Sequence, residues 1–137
     1  MDTRKRIMEF EADFKNVDIA RVALQEICAE YFGKDSESAD DIVMAVNEAM
    51  NNAVEHTRST TVKVEVTCTE AELRVSVISG GESFDPVAAS ADLDEEDMLE
   101  RDEGGYGLYL IKELVDSFEY EYCDGCNVWK LGKQIKH

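Results

Sequence analysis

The chain changes hydrophobic period along its length. From Val17 to Phe32 apolar groups recur at Val17, Ala20, Ala23, Leu24, Ile27 and Tyr31, the spacing of one helical face, and Gly33 supplies a stop. A second helix is predicted from a cap at Ser36 or Ser38 to about Glu55, with Ile42, Val46, Ala49, Met50 and Ala53 on one face. The period then falls to two. Val62, Val64 and Val66 alternate with Lys63 and Glu65, and Leu73, Val75 and Val77 alternate with Arg74 and Ser76, which predicts two strands joined by a short Thr-Glu-Ala turn. Met8 to Phe14 reads as a short first strand. After Gly107 a helix resumes with Leu108, Leu110, Ile111, Leu114 and Val115, and two strands near 118–122 and 127–131 form a hairpin about Asp124-Gly125.

Between Gly80 and Gly105 the pattern dissolves into Gly, Ser, Asp and Glu around the chain's only proline, Pro86. Loops of this length inside compact domains usually carry function or lack structure, and a mobile lid is expected over Pro86 to Glu103. No internal repeat or linker is evident, and 137 residues suit one domain spanning 1–137. Hairpin-connected strands beside helices predict a two-layer α+β sandwich: a mixed, mostly antiparallel sheet with helices on one face.

Composition narrows the function. Fourteen Lys and Arg stand against thirty-one Asp and Glu, a formal charge of -17, which repels nucleic-acid phosphates and anionic lipid headgroups. Direct nucleic-acid or membrane binding is not expected; a basic protein partner suits the field, and so does acidity kept for solubility. No apolar run approaches the roughly 20 residues of a membrane helix, and the basic start is followed by Met8-Glu-Phe-Glu rather than an apolar stretch, so a cytoplasmic location is expected. Of the four cysteines, only Cys123 and Cys126 have metal or redox spacing, and the sequence offers only His137 as a further ligand nearby. They flank Asp124-Gly125, so a structural turn stands beside the redox or metal reading.

The candidate chemistry begins in the second helix, Asn47-Glu48-Ala49-Met50-Asn51-Asn52-Ala53-Val54-Glu55-His56. At about 100° per residue, Glu48 and Asn52 share a stripe turned away from the Ile42, Val46, Ala49 and Ala53 face. A carboxylate can take a proton from a hydroxyl, and an amide oxygen can complete the shell of a magnesium ion that keeps its other ligands from phosphates and water. Such residues are also commonly just solvated. Gly104-Gly105-Tyr106-Gly107-Leu108 sits where the loop ends and a helix begins, so its backbone N–H groups can cradle a phosphate or serve only as a hinge. A third glycine-containing segment, Ser79-Gly80-Gly81, ends a predicted strand.

This ordered set resembles the Bergerat-type ATPase superfamily of gyrase, heat-shock protein 90, histidine kinases and MutL, and within it the bacterial anti-sigma serine kinases of partner-switching systems. The carrying segments are Asp41 to His56, Phe84-Asp85-Pro86, and Gly104 to Asp116. The resemblance implies an anti-sigma serine/threonine protein kinase that binds ATP and magnesium, phosphorylates an anti-sigma antagonist (STAS-type) protein, sequesters a sigma factor and forms a homodimer. It implies Glu48 as catalytic base and Asn52 as magnesium ligand, with Ser79, Gly81, Gly104, Gly105, Gly107 and Leu108 around the nucleotide. Asn51 is secondary, and His56 is a cap or packing group.

One position departs from the family pattern. Where the family's first glycine box has an aspartate that accepts from the adenine amino group, this chain has Ser79, and the box's final glycine is Ser83. Losing a charge-assisted hydrogen bond typically costs about 1.5–3 kcal/mol, roughly 10- to 150-fold in affinity. The alternative reading is therefore a partner-switching module on the same fold with weak or no use of nucleotide.

Overall fold

The computed structural model describes residues 4–33, 36–84 and 105–135, with the backbone alone for 105–109. The elements are β1 (Arg4–Glu11), α1 (Phe14–Phe32), α2 (Glu37–His56), β2 (Thr61–Cys68), β3 (Glu72–Gly80), α3 (Gly105–Leu114), β4 (Ser117–Cys123) and β5 (Cys126–Gln134). Their kind and order follow the hydrophobic periods. The expected lid, Pro86 to Glu103, lies outside the described residues, as does Gly104.

Element boundaries follow from caps. The Asp13 side chain accepts from the Lys15 N–H at 2.7 Å, so α1 starts at Phe14, three residues before the apolar repeat begins. This also moves the first strand, which runs Arg4–Glu11 rather than Met8 to Phe14. At the other end of α1 the Gly33 N–H closes on the Ala29 carbonyl at 3.0 Å. Of the two serines predicted to cap α2, Ser36 does so, its Oγ accepting from the Ala39 N–H at 3.3 Å. Acidic Glu37 and Asp40 in the first turn suit the positive end of the helix dipole.

The sheet has strand order β1-β2-β3-β5-β4, and every neighbouring pair is antiparallel. The expectation of a mixed sheet is corrected to a wholly antiparallel one. After β3 the chain passes through α3 and makes the β4–β5 hairpin; β5 then enters beside β3 in the opposite direction and leaves β4 at the edge. At the hairpin tip Asp124 and Gly125 have φ of 53° and 78°, the pair of positive values a tight two-residue turn requires.

One face of the sheet is apolar. Val62, Val64, Val66, Leu73, Val75, Val77, Trp129 and Leu131 are buried, whereas their neighbours Lys63, Glu65, Arg74, Ser76 and Lys130 point to the opposite face. Each fully buried side chain of this size contributes roughly 1.5–3 kcal/mol of transfer free energy. The helices cover the apolar face, and α2 is central to them, packing on α1, on α3 and on β2, β3 and β5. No helix among the described residues is long and apolar enough to cross a membrane.

Candidate functional site

Because α2 has neighbours on several sides, its buried arc is wider than one stripe. Val43, Ala45, Met50 and Asn52 are buried together with Ile42, Val46, Ala49 and Ala53. The expectation that Glu48 and Asn52 both face away from the core therefore needs correction. Asn52 is only 5% exposed, and its Nδ2 donates to the Glu48 carbonyl at 2.8 Å. Glu48 is half-buried, and burial raises its carboxyl pKa above the ordinary value. A carboxylate held this way is a stronger base than one in water.

The C-terminal end of α2 is wrapped by the chain leaving β3. Gly81, at φ 90°, runs so close that a Cβ there would lie 2.1 Å from the Thr57 carbonyl oxygen, so only glycine fits. The next residue, Glu82, donates its N–H to that carbonyl at 2.9 Å. Buried Thr57 in turn donates its hydroxyl to the Ala53 carbonyl, and Ser59 Oγ accepts from the Gly80 N–H at 3.0 Å.

A second set of contacts comes from the hairpin. Asn127, 0% exposed and directly opposite Ser79, donates to the Glu82 carbonyl at 2.8 Å and the Ser79 carbonyl at 3.4 Å. Its Oδ1 accepts from the Phe84 N–H at 2.9 Å and from the Tyr120 hydroxyl. Tyr122 donates to the Gly81 carbonyl at 2.8 Å. Phe84 then stacks on His56 with centroids 4.3 Å apart and on Trp129 at 6.4 Å. The packing role expected for His56 is the one observed.

Among the described residues, Asn47 Oδ1, Ser79 Oγ, Trp129 Nε1 and His56 Nε2 are buried with no hydrogen-bond partner, the last 3.7 Å from Glu55 Oε2 and beyond hydrogen-bond reach. Such atoms cost free energy unless something binds them. Among the described residues no group of three or more His, Cys, Asp or Glu side chains could hold a metal by itself. A magnesium ion that keeps phosphate and water ligands needs less, and Asn52 Oδ1 is the kind of oxygen it takes.

Glu48 and Asn52 lie on α2, Ser79 lies near the end of β3, Gly81 passes against Thr57 at the end of α2, and α3 packs against α2. Gly105, Gly107 and Leu108 fall in the first turn of α3, so the glycine box begins the helix instead of preceding it. That turn carries no acidic residue, so no negative side chain within it opposes an anion at the positive end of the helix dipole. Asn127, Tyr120 and Tyr122 are absent from the sequence-derived set. Their signal was present: asparagine is depleted in strands, and Asn127 stands at an inward position of an otherwise apolar alternation.

Residues 10–133 match the histidine kinase-like ATPase domain family. The chain belongs to this family. Its curated relatives include proteins named serine-protein kinase RsbW. That of Listeria monocytogenes is 31% identical over 132 residues, 90% of this chain and 83% of that protein. That of Bacillus velezensis is 32% identical over 142 residues, 95% of this chain and 88% of that protein. In fold, this histidine kinase-like ATPase domain is similar to the solved RsbU and RsbW domains of a Mycobacterium tuberculosis protein, with a TM-score of 0.71 at 22% identity over 98% of this chain and 33% of that one. The catalytic domain of the histidine kinase ThkA gives 0.53 at 14% identity over 94% of this chain and 97% of that one.

The raised pKa of Glu48 has a stability consequence. Below its ordinary value, 4.5, the carboxyl is protonated in both folded and unfolded chains and costs nothing. As pH rises past that value the unfolded chain ionises first, so folding loses stability until pH exceeds the raised folded value, after which the loss is constant. Glu48→Gln is therefore expected to raise the melting temperature at neutral pH, with the gain shrinking to nothing as pH falls toward 4.5. Thermal melts of both proteins across that range check it; a gain independent of pH, or a loss at neutrality, contradicts the assignment of burial as the cause.

Proposed function

We propose that this protein is an ATP-dependent serine/threonine protein kinase that also acts as an anti-sigma factor. It phosphorylates an antagonist protein of the STAS type and sequesters a sigma factor, working as a homodimer in the cytoplasm. The observation that carries the reading is the half-buried Glu48 on α2, the helix against which α3 packs, in a chain whose relatives at 30% identity or more are named serine-protein kinases. Gly104, Gly105, Gly107 and Leu108 supply backbone for the triphosphate, and Gly81 lets the β3 end pass close to α2. Asn52 offers Oδ1 to magnesium, which when bound neutralises phosphate charge. Glu48 orients the incoming serine hydroxyl and takes its proton, a role its raised proton affinity favours. The charge of -17 suits a basic face on a partner.

Glu48→Ala is expected to abolish phosphoryl transfer while nucleotide affinity changes little, whereas Asn52→Ala weakens the magnesium-nucleotide complex itself. A transfer assay with calorimetry on both variants separates the roles. Unimpaired transfer by Glu48→Ala removes it from the mechanism.

A second reading, a partner-binding module with weak nucleotide use, is favoured by Ser79. Its hydroxyl is buried, neutral and shorter than the carboxylate the family places there. Such a group reaches the adenine amino group only through water or a shifted base, so ATP is expected to bind weakly and with little preference over GTP. Ser79→Asp should tighten ATP by about tenfold or more and leave GTP unimproved, because guanine presents an acceptor where adenine presents a donor. Titration of both nucleotides against both proteins decides it. Tight, adenine-selective binding by the unmodified protein would mean another group reads the base; no binding by either form favours the nucleotide-free module.

A further inference from the structure

The hairpin that holds the β3 end carries a pair of thiols at its tip. Cys123 and Cys126 are register partners across the Asp124-Gly125 turn. Directly opposite residues of an antiparallel pair lie about 4.5–5.5 Å apart at Cα, inside the roughly 4.4–6.8 Å that a disulfide spans. Cys123 is exposed and Cys126 partly so, and both are free. The strand alternation places them on the polar outer face of the sheet, away from the core, so a bond between them displaces no packed side chain.

The other two cysteines are unsuited to such chemistry. Cys28 and Cys68 are buried in the apolar core, and burial pushes the Cys28 thiol up to about 12. Reactive thiols need access and an available thiolate.

The residues next to the pair give it a target. Tyr122 precedes Cys123 and holds the Gly81 carbonyl; Asn127 follows Cys126 and holds Ser79, Glu82 and Phe84. Cys126 itself pairs with Gly80. Each cysteine is thus one residue from a side chain that fixes the segment 79–84 on the end of α2. A covalent link across the tip restrains the two strands where that grip originates.

We propose that Cys123 and Cys126 form a reversible dithiol–disulfide site, oxidised by low-molecular-weight disulfides, whose state alters how firmly the hairpin holds residues 79–84. One thiolate attacks the small disulfide, forming a mixed disulfide and releasing one small thiolate. The second cysteine attacks the protein sulfur of that mixed disulfide, forming the Cys123–Cys126 bond and releasing the other small thiolate. The protein loses two electrons and two protons, and the small disulfide is reduced to two thiols. The Asp124 carboxylate, foremost, holds the Cys123 thiol above its ordinary range, which makes the exchange slow at neutral pH. The site does not depend on nucleotide use.

The test incubates the full chain with oxidised glutathione, counts thiols after denaturation, maps the peptides and follows amide hydrogen exchange. The expected result is loss of two of the four thiols, a Cys123–Cys126 linkage reversed by dithiothreitol, and exchange at Gly80, Glu82 and Phe84 changed by about threefold or more. Cys126→Ser should instead retain one glutathione adduct on Cys123, with exchange at those amides unchanged by dithiothreitol. Four free thiols after incubation, a linkage involving Cys28 or Cys68, or a stable adduct on wild-type Cys123 overturns the site. A Cys123–Cys126 bond that leaves the three amides unchanged overturns the link to segment 79–84.

Discussion

The end of α2 is closed by backbone from another element, and the rest of the site depends on that closure. Thr57 turns its hydroxyl back onto the helix and presents its carbonyl outward to Glu82. For Glu82 to reach it, Gly81 must pass within a distance no side chain permits. Asn127 then fixes the same segment from the sheet side, using both its donors and its acceptor. A buried amide satisfied on all sides specifies one arrangement, whereas removal of such a group leaves several backbone groups unpaired, each at a cost of about 1–3 kcal/mol. The position of Ser79, the stacking of Phe84 on His56 and the course of the chain toward residue 84 all follow from this closure.

The same segment separates satisfied from unsatisfied polarity. Asn127 is fully bonded, while Ser79 Oγ, Asn47 Oδ1 and His56 Nε2 are buried and unpartnered among the described residues, and Glu48 is half-buried. The first arrangement holds shape. The second stores cost, in the form of groups that a polar ligand can relieve and a carboxylate that burial makes basic. Stability surrendered at a site of action is a common exchange in enzymes, and the proposed site lies on α2 and the β3 end that crosses it.

Much of the fold was legible in the sequence because one force dominates it. The strict alternation of Val62, Val64, Val66 and Leu73, Val75, Val77 fixes which face of the sheet is buried, and Asp124-Gly125 fixes the hairpin. The wholly antiparallel pairing was not legible, since local patterns do not state which strand lies beside which. The site was read in part. Glu48, Asn52, Ser79 and Gly81 were visible as motif positions, but the burial of Asn52 depends on α3 and the sheet packing around α2, which no helical wheel contains. The role of Asn127 was not legible because the backbone groups it binds are 43 to 48 residues away in sequence.

We propose that the α2 end, the β3 end and the α3 helix start form a site for a magnesium-bound nucleoside triphosphate. Its most direct test is calorimetric titration of the unmodified chain with ATP, in the presence and absence of magnesium. The account predicts saturable binding that magnesium tightens by roughly tenfold, as would follow if Asn52 helped hold the ion. Absence of binding under both conditions, or an affinity indifferent to magnesium, would contradict it.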